Sequence, residues 1–270
     1  MLVWCAGCVT CLRGGTFAPA PHPPTHHSHA PPQILNKYQH HNVAITCFTQ
    51  SSFPRIDRDH YTPVPGEPFS VGTQEGWYPP GHGDVYRALD RSGVLDSLLA
   101  LGKELIFISN VDNLGATVDL NIAYHLISHD VDFAMEVTDK TRGDVQGGTL
   151  IQYQGRAKLL ELSQVPREHE QEFKSLKTFT AFNTNNLWVS LKAVKELVAA
   201  NAIQSPVIVN ERKLQSGQHV LELETAAGAA IEFFRKPIGV RVQRSRFLPV
   251  KSTSDLLAVQ SNLFEIKHGR

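Results

Sequence analysis

The chain has 270 residues, enough for one large α/β domain with a sizeable core. Lysine plus arginine balances aspartate plus glutamate at 26 each, so no basic or acidic field selects nucleic acid or a membrane surface. No apolar run approaches the roughly 20 residues that span a bilayer, which predicts a soluble protein with no membrane partner.

Residues 1–35 differ from the remainder. Cys5, Cys8 and Cys11 precede a Pro/His-rich run, Phe17–Pro32. A Cys-x-x-Cys-x-x-Cys spacing beside His22, His26, His27 and His29 could suggest a metal or iron–sulfur site. Against this, Cys47 falls inside a strand-like run and the Pro-rich segment cannot fold compactly, so residues 1–35 are predicted to be a disordered or atypical leader. No basic region precedes the apolar start, which argues against a secretory signal. With one cysteine left in residues 36–270, a disulfide framework is excluded there and a reducing, cytoplasmic compartment fits.

Asn42–Phe48 reads as a strand and ends in the polar turn Thr49-Gln50-Ser51-Ser52. Residues 57–75, with Pro63, Pro65 and Pro68, read as an irregular excursion. In Gly76–Asp84, Pro79 and Pro80 fix one side of a loop while Gly81 and Gly83 bracket His82. Such a frame can bring backbone N–H groups and an imidazole close to a ligand. The alternative is a tight turn in which Asp84 caps a helix over Val85–Leu89.

Val94–Leu101 is amphipathic and helical, and Leu105-Ile106-Phe107-Ile108 is the unbroken apolar run of a strand buried on both faces. It stops at Ser109-Asn110-Val111-Asp112-Asn113. Ligands of open α/β sheets sit beyond the carboxyl ends of strands, so Asp112 could meet a ligand or metal. Equally, Asn110 to Asn113 could turn the chain and cap the next helix. Asp119–Ser128 is predicted helical and Asp132–Thr138 a strand, a βαβ sequence that argues a parallel or mixed sheet covered on both faces. Gly147–Gln154 and Ala157–Gln164 form a hairpin about Gly155-Arg156. Phe179–Asn183 is a short strand before Asn185, Leu187–Ala200 a helix, and Pro206–Val209 and Val220–Glu224 strands. Thr225–Phe234 is predicted as a closely packed helix, Gly239–Val242 continues to Lys251, and Ser252–Asp255 caps a last helix over Leu256–Leu263.

Polar clusters thus follow three apolar strands at Gln50, at Asn110 and Asp112, and at Asn185. With the His82 loop and Lys251 before a helix, the set suits one phosphate-and-sugar site. No dinucleotide fingerprint, P-loop, nucleophile elbow or zinc-protease motif is present, so a dehydrogenase, a P-loop NTPase and a serine hydrolase lose support.

Gly76–Asp84, Ser109–Asp119, Asp144–Thr149, Phe182–Trp188, Leu223–Ala230 and Arg244–Leu257 closely resemble the UTP–glucose-1-phosphate uridylyltransferases. WYPPGHGD, SNVDNLGATVDL, FNTNNLW, ETAAGAA and SRFLPVKSTSDLL occur in that family's order. The resemblance implies a Rossmann-like, mixed-sheet nucleotidyltransferase domain of α/β class. It also implies exchange of UTP and glucose 1-phosphate for UDP-glucose and pyrophosphate with Mg²⁺. It carries roles onto this sequence: Gln50 and Gly81 toward UTP, His82 toward the sugar phosphate, and Asn110 toward both substrates. Asp112 would hold Mg²⁺ on the nucleotide, Asn185 would bind the glucose side, and Lys251 would contact phosphates as the catalytic lysine. Thr49 stands where the family usually has asparagine. The family's glycine-rich L-N-G-G-L-G-T loop belongs upstream of Ile34, and its C-terminal β-helical region, used for subunit assembly by some members, belongs beyond Arg270. The resemblance therefore implies an incomplete domain, truncated at both ends, with impaired activity. The related N-acetylhexosamine 1-phosphate pyrophosphorylases and a non-catalytic fragment are the competing readings.

Overall fold

The computed structural model describes residues 2–5, 8–12, 43–64, 76–145 and 147–265. Strands β1 (Leu2–Cys5), β2 (Cys8–Leu12) and β3 (Val43–Thr46) pair antiparallel in that order. The first two fall in the stretch predicted to be an atypical leader; its Pro/His-rich part and the side chains of its cysteines lie outside the described residues. Three short strands follow, β4 (Phe53–Pro54), β5 (Ile56–Asp57) and β6 (Trp77–Tyr78), with β4 paired to β6. Helices α1 (Val85–Arg91) and α2 (Val94–Ala100) then meet at Gly93, whose φ of 74° gives the left-handed turn between them.

The central sheet contains β7 (Leu105–Ile108), β8 (Phe133–Asp139), β11 (Ala181–Ser190) and β14 (Pro237–Arg241) in the order β14-β8-β11-β7. β14 runs parallel to β8, and β11 runs antiparallel to both β8 and β7. The sheet is therefore mixed, and β7 and β8 share a direction, joined by helix α3 (Leu120–Ser128). A hairpin of β9 (Thr149–Tyr153) and β10 (Arg156–Leu160) turns at Gln154 and Gly155, both with positive φ, so Arg156 belongs to the strand and not to the turn. Helix α4 (Glu170–Phe173) precedes β11, and helix α5 (Leu191–Ala199) follows it. β12 (Ile208–Lys213) and β13 (His219–Glu224) pair with each other, and β13 pairs with β5.

The helix expected over Leu187–Ala200 starts at Leu191 instead. Leu187, Trp188 and Val189 stand opposite Met135, Ala134 and Phe133 on one side and Ile108, Phe107 and Ile106 on the other. Pairing along both edges offers these residues ladder partners on either side, which outweighs their weak helical periodicity. Ser190 then caps α5 by accepting from the Ala193 N–H. The close-packed segment after Glu224 is a 3₁₀ turn over Ala227–Phe233, and the last helix, α6 (Thr253–Gln260), begins three residues before its expected start.

Alternation along β7 explains the core. Ile106 and Ile108 face Leu89, Leu95, Leu98, Leu187 and Val194 under α1, α2 and α5. Phe107 faces the other way, against Trp188 (ring centroids 4.4 Å apart), Ala134 and Leu126 of α3. Each such fully buried side chain contributes roughly 1.5–3 kcal/mol. Both layers hold β7 rigidly, and its carboxyl end opens onto the site.

Candidate active site

The loop after β3 and the His82 loop are tied together through Asp84. Its carboxylate accepts from the Ser51 N–H at 2.6 Å and the Ser51 hydroxyl at 3.0 Å. Asp84 makes no cap bond to α1, so the capping role considered from sequence is replaced by this long-range tie. Gln50, one residue before Ser51, is half-buried at the same junction. The glycines of the loop meet protein instead of open space. Gly81 has φ 81°, and a Cβ there would lie 2.6 Å from the Thr225 carbonyl oxygen. A Cβ on Gly83 would strike the Thr225 hydroxyl, and the Gly83 N–H donates to the Thr225 carbonyl at 2.8 Å. His82 accepts at Nδ1 from the Ala227 N–H at 3.0 Å, which leaves its proton on Nε2. Burial pushes the imidazole below its ordinary pKa, so it is a neutral donor near pH 7.

At the carboxyl end of β7 the cluster Ser109–Asn113 meets an irregularity in β11. The register shifts between Asn183 and Leu187, and Asn185 has a left-handed φ of 60°. The Asn183 side chain accepts from the Asn185 N–H at 2.9 Å and supports that conformation. The bulge turns Asn185 toward β7, where its Nδ2 donates to Asn110 Oδ1 at 3.0 Å. The sequence reading ended the strand here; instead, β11 passes through the polar cluster and continues.

Residues 248–250 run antiparallel to residues 112–114. Leu114 N–H donates to the Leu248 carbonyl at 3.0 Å and Val250 N–H to the Asp112 carbonyl at 2.8 Å. Asn113 locks this strap: its Oδ1 accepts from Leu248 and Gly115, and its Nδ2 donates to Asn186 and to the Arg246 carbonyl. Lys251 is thereby delivered next to the Asp112 loop, with an exposed side chain. Ser252 caps α6 in a capping box with Asp255, whose carboxylate accepts from the Lys251 and Ser252 N–H groups at 2.9 and 2.8 Å. These bonds hold Asp255 below the usual carboxylate range. The helix's own terminal donors are thus partly taken, and the charge offered there is the lysine's.

The two halves meet through Ala227 and Gly228. Ala227 bonds His82, and a Cβ on the neighbouring Gly228 would come within 3.5 Å of Asn183 Nδ2. The seven residues selected from sequence therefore occupy two connected rims, Gln50, Gly81 and His82 on one and Asn110, Asp112, Asn185 and Lys251 on the other. Sequence reasoning missed Asn183, Asn113, Asn186, Glu136 and Arg246. Of these, Asn183 is buried, and its Nδ2 has no hydrogen-bond partner among the described residues. The signal was present in the density of asparagines, but not which of them would face inward.

The donor set suits a metal only in company. Among the described residues no group of three histidines, cysteines, aspartates or glutamates forms a cage. Asp112 offers one half-buried carboxylate with no side-chain bond among the described residues. Mg²⁺ takes one or two carboxylates together with water and substrate phosphates, so this arrangement fits an ion that arrives with a nucleotide.

The sequence profile of the family described as UTP--glucose-1-phosphate uridylyltransferase matches residues 25–270. An enzyme of that name from Astragalus penduliflorus is 54% identical over 236 residues, covering 87% of this chain and 50% of the relative. UTP--glucose-1-phosphate uridylyltransferase 2 of Dictyostelium discoideum is 54% identical over 237 residues, covering 88% and 47%. The crystal structure of a UDP-glucose phosphorylase from Trypanosoma brucei superimposes with a TM-score of 0.74 at 37% identity, covering 82% of this chain and 50% of that one. UDP-glucose pyrophosphorylase from Leishmania major superimposes with a TM-score of 0.72 at 33% identity, with the same coverage. The chain spans about half the length of the curated relatives it matches.

Proposed function

Since this chain belongs to the UTP–glucose-1-phosphate uridylyltransferase family, we propose that it serves the exchange of UTP and glucose 1-phosphate for UDP-glucose and pyrophosphate. The observation that carries this reading is the convergence of Asn110, Asp112, Asn185 and the Lys251 strap at the carboxyl end of β7.

The chemistry asks little of acid or base groups. The phosphate oxygen of glucose 1-phosphate is already anionic at neutral pH, so the nucleophile needs no protein base. What the reaction needs is in-line alignment and neutralisation of charge at the α-phosphate. His82, neutral with its proton on Nε2, is a donor suited to the sugar phosphate. Asn110 and Asn185 are held in one rigid pair, suited to hydroxyl and phosphate oxygens. Gln50 and Gly81 would sit on the nucleotide side. Asp112 would hold Mg²⁺, which when bound supplies charge neutralisation to the phosphates. Lys251 would bring an ammonium to the same oxygens; losing one such contact typically costs roughly 10²–10³ in rate.

The test is calorimetric titration of this chain with UDP-glucose, with and without Mg²⁺, beside UDP-N-acetylglucosamine. A coupled assay for UDP-glucose formation runs on the same preparation. Saturable, Mg²⁺-strengthened binding of UDP-glucose in preference to the acetylated sugar is expected. No binding, or preference for the acetylated sugar, would overturn the assignment.

A further inference from the structure

The carboxylate of Glu136 is fully enclosed in the central sheet, yet it reaches four donors, on three residues of two separate elements. Trp188 Nε1 donates to it at 2.8 Å and Asn186 Nδ2 at 3.0 Å, both from β11. Arg246 donates to it through Nε at 2.8 Å and also through Nη2. The guanidinium is nearly buried itself, and it extends further to the Thr117 hydroxyl at 3.1 Å and the Thr117 carbonyl at 2.7 Å. The Arg246 main chain is used as well, its carbonyl accepting from Asn113 and Asn186. A Cβ on Gly115 would lie 2.7 Å from the Arg246 carbonyl carbon, so the two loops touch through their backbones.

A buried ion pair is a weak source of stability, because desolvation of both charges offsets their attraction, and apolar residues often replace such pairs at no loss. What this one does geometrically is specific. Only Phe247 separates Arg246 from the strap 248–250 that pairs with the Asp112 loop, and Asn186 ends the bulge that aims Asn185. One carboxylate thus fixes the strap and the bulge relative to each other. The planar guanidinium fork spans Glu136 and Thr117 together, which a lysine ammonium cannot do with the same number of bonds.

We propose that Glu136 and Arg246 are positioning residues: their buried pair sets the register between the strap that delivers Lys251 and the bulge that presents Asn185 to Asn110. The part concerning ligand rests on the proposed function; the part concerning register does not.

The experiment is amide hydrogen exchange on the whole chain carrying Arg246→Lys, and separately Glu136→Gln, without ligand. Exchange at Leu114, Leu248 and Val250, whose N–H groups form the strap bonds, should accelerate about tenfold or more in both variants. The amides of α1 and α2 should keep their wild-type rates. UDP-glucose affinity is then measured with Lys251→Met in the wild-type and Arg246→Lys backgrounds. The loss on removing the Lys251 ammonium should be smaller in the second background, a non-additivity that a purely structural role does not produce. Unchanged strap exchange, uniform acceleration through the chain, or failure of both variants to fold would overturn the proposal. Absence of UDP-glucose binding by the wild type would overturn the functional reading and leave the exchange result to decide the register claim.

Discussion

Asn185 Nδ2 donates to Asn110 Oδ1 at 3.0 Å, joining two residues 75 positions apart across the carboxyl end of β7. The contact exists because Asn185 adopts a left-handed backbone inside a strand, a conformation that costs an ordinary L-residue roughly 1–2 kcal/mol and that asparagine tolerates better. Local strain is commonly kept where it aims a functional group. Asn185→Ala should therefore lower stability by about 1–3 kcal/mol, from strain plus the lost bond. Asn185→Gly should lower it less, although it removes as much side-chain bonding. Equal losses in urea unfolding would mean that backbone strain plays no part.

Gly81 and Gly83 face the Thr225 backbone and hydroxyl, so their first role is packing and turn geometry. Gly81→Ala and Gly83→Ala should each destabilise by about 1–3 kcal/mol, because the chain must move to admit a Cβ. Thermal unfolding of both variants beside UDP-glucose titration checks this. A wild-type melting temperature with weakened binding would instead place the glycines against the ligand.

Asp112 is half-buried and Lys251 exposed, and among the described residues only their main chains carry hydrogen bonds. Asp112→Asn and Lys251→Met should each leave stability within about 0.5 kcal/mol. The first should abolish the Mg²⁺-dependent part of UDP-glucose binding and the second weaken binding overall. Lys251→Arg should rescue poorly, since a planar fork does not replace a point charge at a crowded phosphate. Unchanged affinity in the Met variant would make Lys251 an ordinary surface lysine.

His82 gives a pH signature. Its folded pKa lies below the ordinary value of about 6.5, so the unfolded chain binds the proton first. This contribution is present above about pH 6.5 and is lost as pH falls through the folded value. Protonation of Nδ1 also removes the acceptor for the Ala227 N–H. His82→Asn keeps an acceptor near the Nδ1 position and deletes the titration, so its stability should fall less steeply than wild type between pH 7 and about 5. Parallel curves for the two proteins would contradict this.

The strand Leu105–Ile108, the helices over Val85–Leu89 and Val94–Leu101, the βαβ crossover and the hairpin were legible from composition and periodicity. Burial on both faces and amphipathic spacing are local properties of a sequence. The polar run after Ile108 was legible as the end of β7, but not that Ser109 and Asn113 within it would be buried, satisfied by bonds to Asn186.

Tertiary structure decided the rest. Leu187–Ser190 became strand because two neighbouring strands offered ladder partners, and such pairing cannot be read from the segment itself. Asp84 left its neighbouring helix to hold Ser51, 33 residues away. Glu136, an unremarked glutamate within a strand pattern, became the anchor of the strap because Arg246, Asn186 and Trp188 converge on it. A residue's type states which bonds it can make; only the fold brings distant partners close enough to make desolvating them favourable.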